Sequence, residues 1–95
     1  MIKEKEPIDK ELTNMGFLLK YTSYRKSIEG IEIVIYSLTE YHIFRIHHYL
    51  IAFKTVEEMK MLLEDIIRLI KENNFKGIGM LEKEQLKITL DSKSN

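Results

Sequence analysis

The chain has no cysteine and no tryptophan, and only one proline and four glycines among its 95 residues. Without cysteine, disulfide bonds, thiolate metal sites and cysteine nucleophiles are excluded. No stretch approaches the roughly 18 consecutive apolar residues that a transmembrane helix requires, and the first residues lack the apolar segment of a secretory signal. These absences predict a cytoplasmic protein, in the host cytoplasm if a phage encodes it, without membrane contact.

Charge of neither sign is in excess, since 15 Lys and Arg balance 15 Asp and Glu. Nonspecific nucleic-acid binding relies on a basic excess that neutralises phosphates, so this balance argues against that class. A content of 44% hydrophobic and 32% charged residues is typical of a globular chain. We expect one small domain over residues 1–95, with residues 1–6 and 91–95 flexible.

Pro7 and Gly16 delimit a first predicted helix. Proline suits the first helical position, and glycine readily adopts the left-handed conformation that ends a helix. Alternation of apolar and polar residues then predicts strands on either side of a polar turn. The predicted elements are a short helix over residues 7–15, a strand over 17–24, a turn over 25–30 and a strand over 30–38.

The segment YHIFRIHHYLIAF, residues 41–53, alternates like a strand but carries large side chains on both faces. A two-residue loop at Thr39 and Glu40 would pair Tyr36 with Ile43 and Val34 with Arg45. Because Thr-Glu lacks the Gly or Asn that such loops favour, a longer loop with another register stays open. In the expected register the core face carries Ile31, Ile33, Ile35, Phe44, Ile46 and His48.

Residues 54–74 form the most strongly indicated element, a long amphipathic helix. Thr55 followed by Glu58 is a capping box, which satisfies free amides at a helix start. Apolar residues then recur at helical spacing, which predicts a stripe that covers one face of the sheet. The stripe consists of Val56, Met59, Leu62, Leu63, Ile66, Ile67 and Ile70, whereas Met61 and Leu69 lie off it and would mark a second contact surface.

After this helix the apolar pattern weakens, and the alternation of Leu86, Ile88 and Leu90 with polar residues predicts a short added strand. The elements together predict an α+β fold. We expect a small antiparallel sheet of three to four strands, arranged as a meander, with one long amphipathic helix packed on one face and a short N-terminal helix.

No catalytic, cofactor or metal motif emerges from the sequence. His47 and His48 would point to opposite faces of a strand, and no carboxylate completes a site with His42. The serines lie in no nucleophile-elbow context, and the GxG of residues 77–79 lacks the flanking residues of a phosphate loop. We therefore expect a protein that is not an enzyme and needs no cofactor or metal.

The remaining candidate is the sheet face that the helix leaves uncovered. Tyrosine and arginine dominate protein interfaces, and they can also stack on bases. The face could equally be an ordinary solvated surface. Its candidate partner-binding residues are Lys20, Tyr24, Tyr36, Tyr41, Arg45, His47 and Tyr49.

We expect this face to bind a protein partner, including a second copy of the chain as a homodimer. Small size, neutrality and the lack of motifs suit an accessory protein of a phage or mobile element that inhibits a host enzyme or a defence nuclease, in the manner of an anti-CRISPR protein. The alternative is a module that binds single-stranded RNA through the Tyr and Arg side chains.

Overall fold

The structure is a computed structural model that describes the backbone of residues 5–94 and the side chains of residues 8–87. The expected flexibility of residues 1–4 and of Asn95 lies outside the described residues. None of the described helices is both long and apolar enough to cross a membrane. In chain order the elements are α1 (Lys5–Asn14), β1 (Leu18–Lys20), β2 (Ser23–Ile28), β3 (Ile31–Ser37), β4 (His42–Ile46), β5 (Tyr49–Phe53), α2 (Val56–Lys71) and α3 (Phe75–Ser94).

The five strands form one antiparallel sheet in the order β1-β2-β3-β4-β5, so every strand pairs with its neighbour in sequence. The predicted α+β class and the meander are confirmed, whereas the sheet has more strands than expected. The register between β3 and β4 is also confirmed, because Tyr36 pairs with Ile43 and Val34 with Arg45.

Two strand predictions were wrong, because each merged a hairpin into a single strand. The predicted strand over residues 17–24 turns at Tyr21 and Thr22, and the segment over residues 41–53 turns at His47 and His48. Tyr21 and His47 have φ values of 59° and 55°, a left-handed conformation that glycine and asparagine adopt far more readily. These turns therefore lack the residues by which a sequence usually signals them.

The predicted turn over residues 25–30 was wrong for a related reason. Arg25 to Ile28 continue strand β2, and only Glu29 and Gly30 form the turn to β3. Both turn residues have positive φ, at 50° and 82°. This geometry is that of a two-residue turn whose twist matches the flanking strands.

Helix α2 begins as predicted. The Thr55 hydroxyl accepts a hydrogen bond from the Glu58 amide at 3.1 Å, and the Glu58 carboxylate accepts one from the Thr55 amide at 3.3 Å. Most of the apolar stripe is buried in the core cluster, and Val56 and Ile67 pack against it partly buried. Of the two residues expected off the stripe, Met61 is exposed, but Leu69 is buried.

The core lies between one sheet face and the helices. Its largest fully buried side chains include Phe44 and Phe53 on the sheet, Leu12 on α1 and Ile78 on α3. Lys26 ties the end of α1 to strand β2, because its ammonium donates to the Met15 carbonyl at 2.6 Å. Burial of each large apolar side chain contributes about 1.5–3 kcal/mol, so this single layer supplies most of the stabilisation.

Helix α3 replaces the strand predicted around Leu86, so that prediction was wrong. Its two glycines, which weaken the helix signal, permit close packing. A Cβ atom on Gly79 would lie 3.1 Å from the Tyr49 ring, and one on Gly77 would lie 2.7 Å from the Leu69 side chain. The helix therefore runs close beside β5, where the Leu50 amide donates to the Glu82 carboxylate at 2.9 Å.

Candidate functional site

The sheet has two chemically different faces. All strand residues that belong to the hydrophobic core cluster lie on one face, which we call the core face. The other face, which we call the open face, contributes nothing to that cluster. Strand alternation and the pairing register place on it Leu18, Lys20, Ser23, Arg25, Ser27, Glu32, Val34, Tyr36, Ile43, Arg45, Leu50 and Ala52.

One row of paired residues crosses the entire open face. It runs from Leu50 on β5 through Arg45, Val34 and Arg25 to Leu18 on β1. Val34 at the centre is 4% exposed, whereas the terminal leucines, Leu50 and Leu18, are 46% and 74% exposed. Because neighbouring strands lie about 4.8 Å apart, the two arginines stand roughly 10 Å apart on either side of the valine.

A second, parallel row lies two residues along each strand. It contains Ala52, Ile43, Tyr36, Ser23 and Lys20. Ile43 and Ala52 are buried and Tyr36 is half-buried, while Lys20 is exposed. Together with Val34 from the first row, Ile43 and Ala52 give the open face a small apolar centre bordered by polar side chains.

The two arginines of the open face have different environments. Arg25 forms an ion pair with Glu32 at 3.4 Å, and its Nε donates to the Ser23 hydroxyl at 3.3 Å. Arg45 is exposed and has no ion pair or side-chain hydrogen bond with any described residue. Its guanidinium is therefore free to donate to a group from outside the chain.

A shallow hollow of about 260 Å³ adjoins Arg45 on the open face. Glu32, Val34 and His47 line it together with the β2–β3 turn. The hollow thus combines an apolar floor, one unpaired cation and one carboxylate. Its volume lies below the roughly 300–1,000 Å³ of typical small-molecule pockets.

The structure brings three of the sequence-predicted residues, Lys20, Tyr36 and Arg45, onto the open face. Tyr41 lies half-buried in the loop between β3 and β4. His47 occupies the β4–β5 turn at the rim of the hollow, with its ring 5.0 Å from the Phe75 ring.

The remaining two tyrosines are not on the open face. Tyr24 and Tyr49 lie on the core face and pack against the core cluster, which corrects their expected position. The turn at His47 and His48 explains why Tyr49 lies on the core face, because a two-residue turn places Ile46 and Tyr49 opposite each other on the same face. Tyr24 was misplaced because the turn at Tyr21 went unrecognised.

Tyr24 has a distinct electrostatic environment. Burial raises the pKa of the Tyr24 hydroxyl above its ordinary value of 10.0, and the negative charge of nearby Asp9 raises it further. The side chain therefore stays neutral in the folded protein over the ordinary pH range, which suits a structural position beneath α1.

The histidines do not converge. His42 is buried, with its Nδ1 2.8 Å from the Ser37 hydroxyl and its ring stacked 5.2 Å from Phe53. His48 was expected in the core, but it is exposed in the turn with its ring 4.2 Å from Tyr49. Within the described part of the chain, no group of three or more metal-ligating side chains is close enough to hold an ion.

The sequence patterns did not place Arg25 or Leu50 on the open face. Arg25 had been assigned to a turn, although the Glu29-Gly30 pair signals that the turn comes later. Leu50 was expected on the core face because the His47–His48 turn went unrecognised. That turn places Tyr49 on the core face and Leu50 on the open face.

Comparison with known proteins gives no match of significance: no family model fits the sequence, and neither a curated protein nor a solved structure is similar to it.

Proposed function

We propose that this chain is a non-enzymatic binding protein that contacts a protein partner through its open sheet face. The observation that carries this proposal is Arg45, an exposed cation without an ion pair among the described residues, standing beside the apolar centre of the face. A free guanidinium next to apolar side chains can donate to a partner carboxylate while the surrounding contact excludes water.

The layout of the face also favours a protein partner. Interfaces typically have an apolar centre with a polar rim, and Arg and Tyr supply much of their binding energy. Val34 and Ile43 form such a centre, and Tyr36 and Arg45 flank it. The exposed Leu18 and Leu50 at the two ends of the first row extend the apolar contact across the sheet.

A single-stranded nucleic acid is the alternative partner, and the face supports it less well. Stacking platforms use several aromatic rings on one surface, whereas Tyr36 is the one tyrosine that the described strands present on the open face. Formal neutrality also deprives the chain of a long-range attraction for phosphates.

The test is quantitative affinity capture from the source cell, comparing the wild type with the double variant Tyr36→Ala, Arg45→Ala. The matched control is Arg68→Ala, which removes an exposed arginine from α2. We expect the double variant to lose the captured protein at least tenfold while the control retains it. Equal capture by all three correctly folded proteins would overturn the proposal.

A gel-shift experiment separates the two kinds of partner. A nucleic-acid module should retard single-stranded RNA in a salt-dependent way that Lys20→Ala and Arg45→Ala abolish. A protein-binding module should leave the RNA unshifted at physiological salt.

The biological role that we propose is inhibition of a host enzyme or a defence nuclease by steric occlusion, encoded by a phage or mobile element and exerted in the cytoplasm. This role rests on the size and neutrality of the chain and not on any single residue. Inhibition of the captured enzyme by the purified chain, and its loss with the double variant, would be the direct measurement.

A further inference from the structure

The two outer edges of the sheet differ in what lies beside them. At the β5 edge, helix α3 runs alongside the strand, and the Glu82 carboxylate accepts a hydrogen bond from the Leu50 amide at 2.9 Å. At the β1 edge, the strand order ends without any further described strand. An unprotected strand edge presents free amides and carbonyls and acts as a template for another strand.

The residue that presents these groups at the β1 edge is Leu19. In an antiparallel hairpin the residues that flank a two-residue turn exchange hydrogen bonds, and the next residue along directs its amide and carbonyl outward. Lys20 and Ser23 flank the turn, so Leu19 is the outward residue. Leu50 occupies the equivalent position beside the Ile46 and Tyr49 pair, and its amide does point outward to Glu82.

The side chains around Leu19 are unusually apolar for an edge. Leu18, Leu19 and Tyr21 are 74%, 61% and 88% exposed. Natural sheet edges are commonly blocked by charged residues, proline or bulges, whereas this strand offers only Lys20. No described residue pairs with the outward backbone groups of Leu19, and the apolar side chains around them are exposed.

We propose that β1 pairs with β1 of a second copy of this chain, antiparallel and centred on Leu19, so that two sheets join into one continuous sheet. The twofold symmetry of such a pair sets Leu19 opposite Leu19 of the other copy and Leu18 opposite Lys20. The one charged residue of the strand therefore never faces itself. Because the formal net charge is zero, two copies also lack long-range repulsion.

The extent of the contact determines its strength. Stable protein interfaces bury about 1,200–2,000 Å² in total, and a three-residue strand provides only a small part of that area. The exposed Leu19 and Tyr21 beside the groove between α1 and the hairpin enlarge the contact. The dimer is accordingly reversible and concentration-dependent, and it does not involve Arg45.

The absence of cysteine from the chain permits a direct test by single substitutions. Opposed residues of a hydrogen-bonded antiparallel pair have Cα atoms about 5.5 Å apart, within the disulfide range of about 4.4–6.8 Å. Under mild oxidation, Leu19→Cys should form a disulfide-linked dimer at least tenfold faster than Met61→Cys, whose residue is exposed on α2. Equal rates for the two variants would overturn the proposal.

Sedimentation analysis of the intact chain gives a second, independent readout. The wild type should move with rising concentration toward twice the 11.3 kDa chain mass. Leu19→Pro removes the outward amide but no hydrogen bond to β2, so it should stay monomeric, whereas Leu19→Ala retains the amide and should still associate. A wild type that remains monomeric at all concentrations, or a proline variant that associates like the alanine variant, would contradict self-pairing through β1.

This dimer and the proposed use of the open face can fail separately. Arg45→Ala should leave the sedimentation profile unchanged, and Leu19→Pro should still capture a partner that binds the centre of the open face.

Discussion

The Leu50 amide and the Glu82 carboxylate, 32 residues apart in sequence, are joined by a 2.9 Å hydrogen bond that fastens α3 to the outer edge of β5. The bond satisfies a backbone donor that would otherwise be free to pair with a foreign strand. It also shows that helix α3 protects an edge as well as covering the core.

Replacement of Glu82 by alanine should loosen this edge. Hydrogen bonds to charged groups stabilise folded proteins by about 1.5–3 kcal/mol, and solvent exposure here reduces the expected loss to about 1 kcal/mol. Urea unfolding should report this loss, and amide hydrogen exchange at Leu50 should accelerate.

The matched control is Glu84→Ala, on the same helix. Glu84 is exposed and has no hydrogen bond or ion pair with the described residues, so its loss should change stability by less than about 0.5 kcal/mol. Since both variants make the same change in helix propensity, equal effects would show that the contact to Leu50 contributes nothing.

The face assignment of β5 can be tested with two adjacent residues. Tyr49 packs against the core cluster and the backbone of Gly79, so Tyr49→Ala should cost about 2–3 kcal/mol of unfolding free energy. Leu50 lies 46% exposed on the open face, so Leu50→Ala should cost about 1 kcal/mol or less. Chemical denaturation of both variants measures the difference, and a reversed order would mean that the His47–His48 turn is absent.

Stability at alkaline pH should depend on Tyr24. Its pKa is higher in the folded than in the unfolded chain, mainly because of burial and further because of Asp9. The resulting stabilisation is fully present below the unfolded value of about 10 and is lost as the pH rises through the folded pKa. The Tyr24→Phe variant has no ionisable group at this position. Its free energy of unfolding should therefore fall less than that of the wild type as the pH rises above about 10.

The measurement is urea unfolding as a function of pH, with Tyr36→Phe as the control because Tyr36 lies on the open face. Ionisable groups that all three proteins share cancel in the comparison. If the wild type and Tyr24→Phe show the same alkaline dependence, Tyr24 does not ionise differently on folding.

Helix α2 was predictable because several local signals agree. The capping box at Thr55 and Glu58 fixes its start, and an apolar stripe at helical spacing fixes the face that it buries. Each of these signals depends on residues within two or three turns of one another. The fold class and the register of β3 with β4 followed in the same way, from alternation on both sides of a short loop.

The missed turns show where sequence patterns fail. Tyr21 and His47 adopt a left-handed backbone conformation although neither is glycine or asparagine. The sequence pattern therefore predicts one continuous strand where the structure has two strands joined by a turn. Pairing of the flanking strands and packing of the core stabilise such turns. The open face was therefore predicted correctly for Tyr36 and Arg45, which precede the second of these turns, and wrongly for Tyr49, which follows it.

Helix α3 was missed for a different reason. Gly77 and Gly79 reduce the intrinsic helix propensity. They permit the close approach of Leu69 and Tyr49 to the helix, and no local sequence pattern reveals these contacts. The alternation of Leu86, Ile88 and Leu90 also mimics a strand. Tertiary packing thus overrides local propensity in this part of the chain.

The sequential order of the five strands has a consequence for how the chain reaches its native state. Each hairpin closes a loop of only a few residues, so the sheet can grow by short steps that each lose little chain entropy. Chains built from such local contacts fold quickly for their size, and the slower event should be the docking of α3, because the Glu82 carboxylate must reach the Leu50 amide 32 residues earlier in the chain.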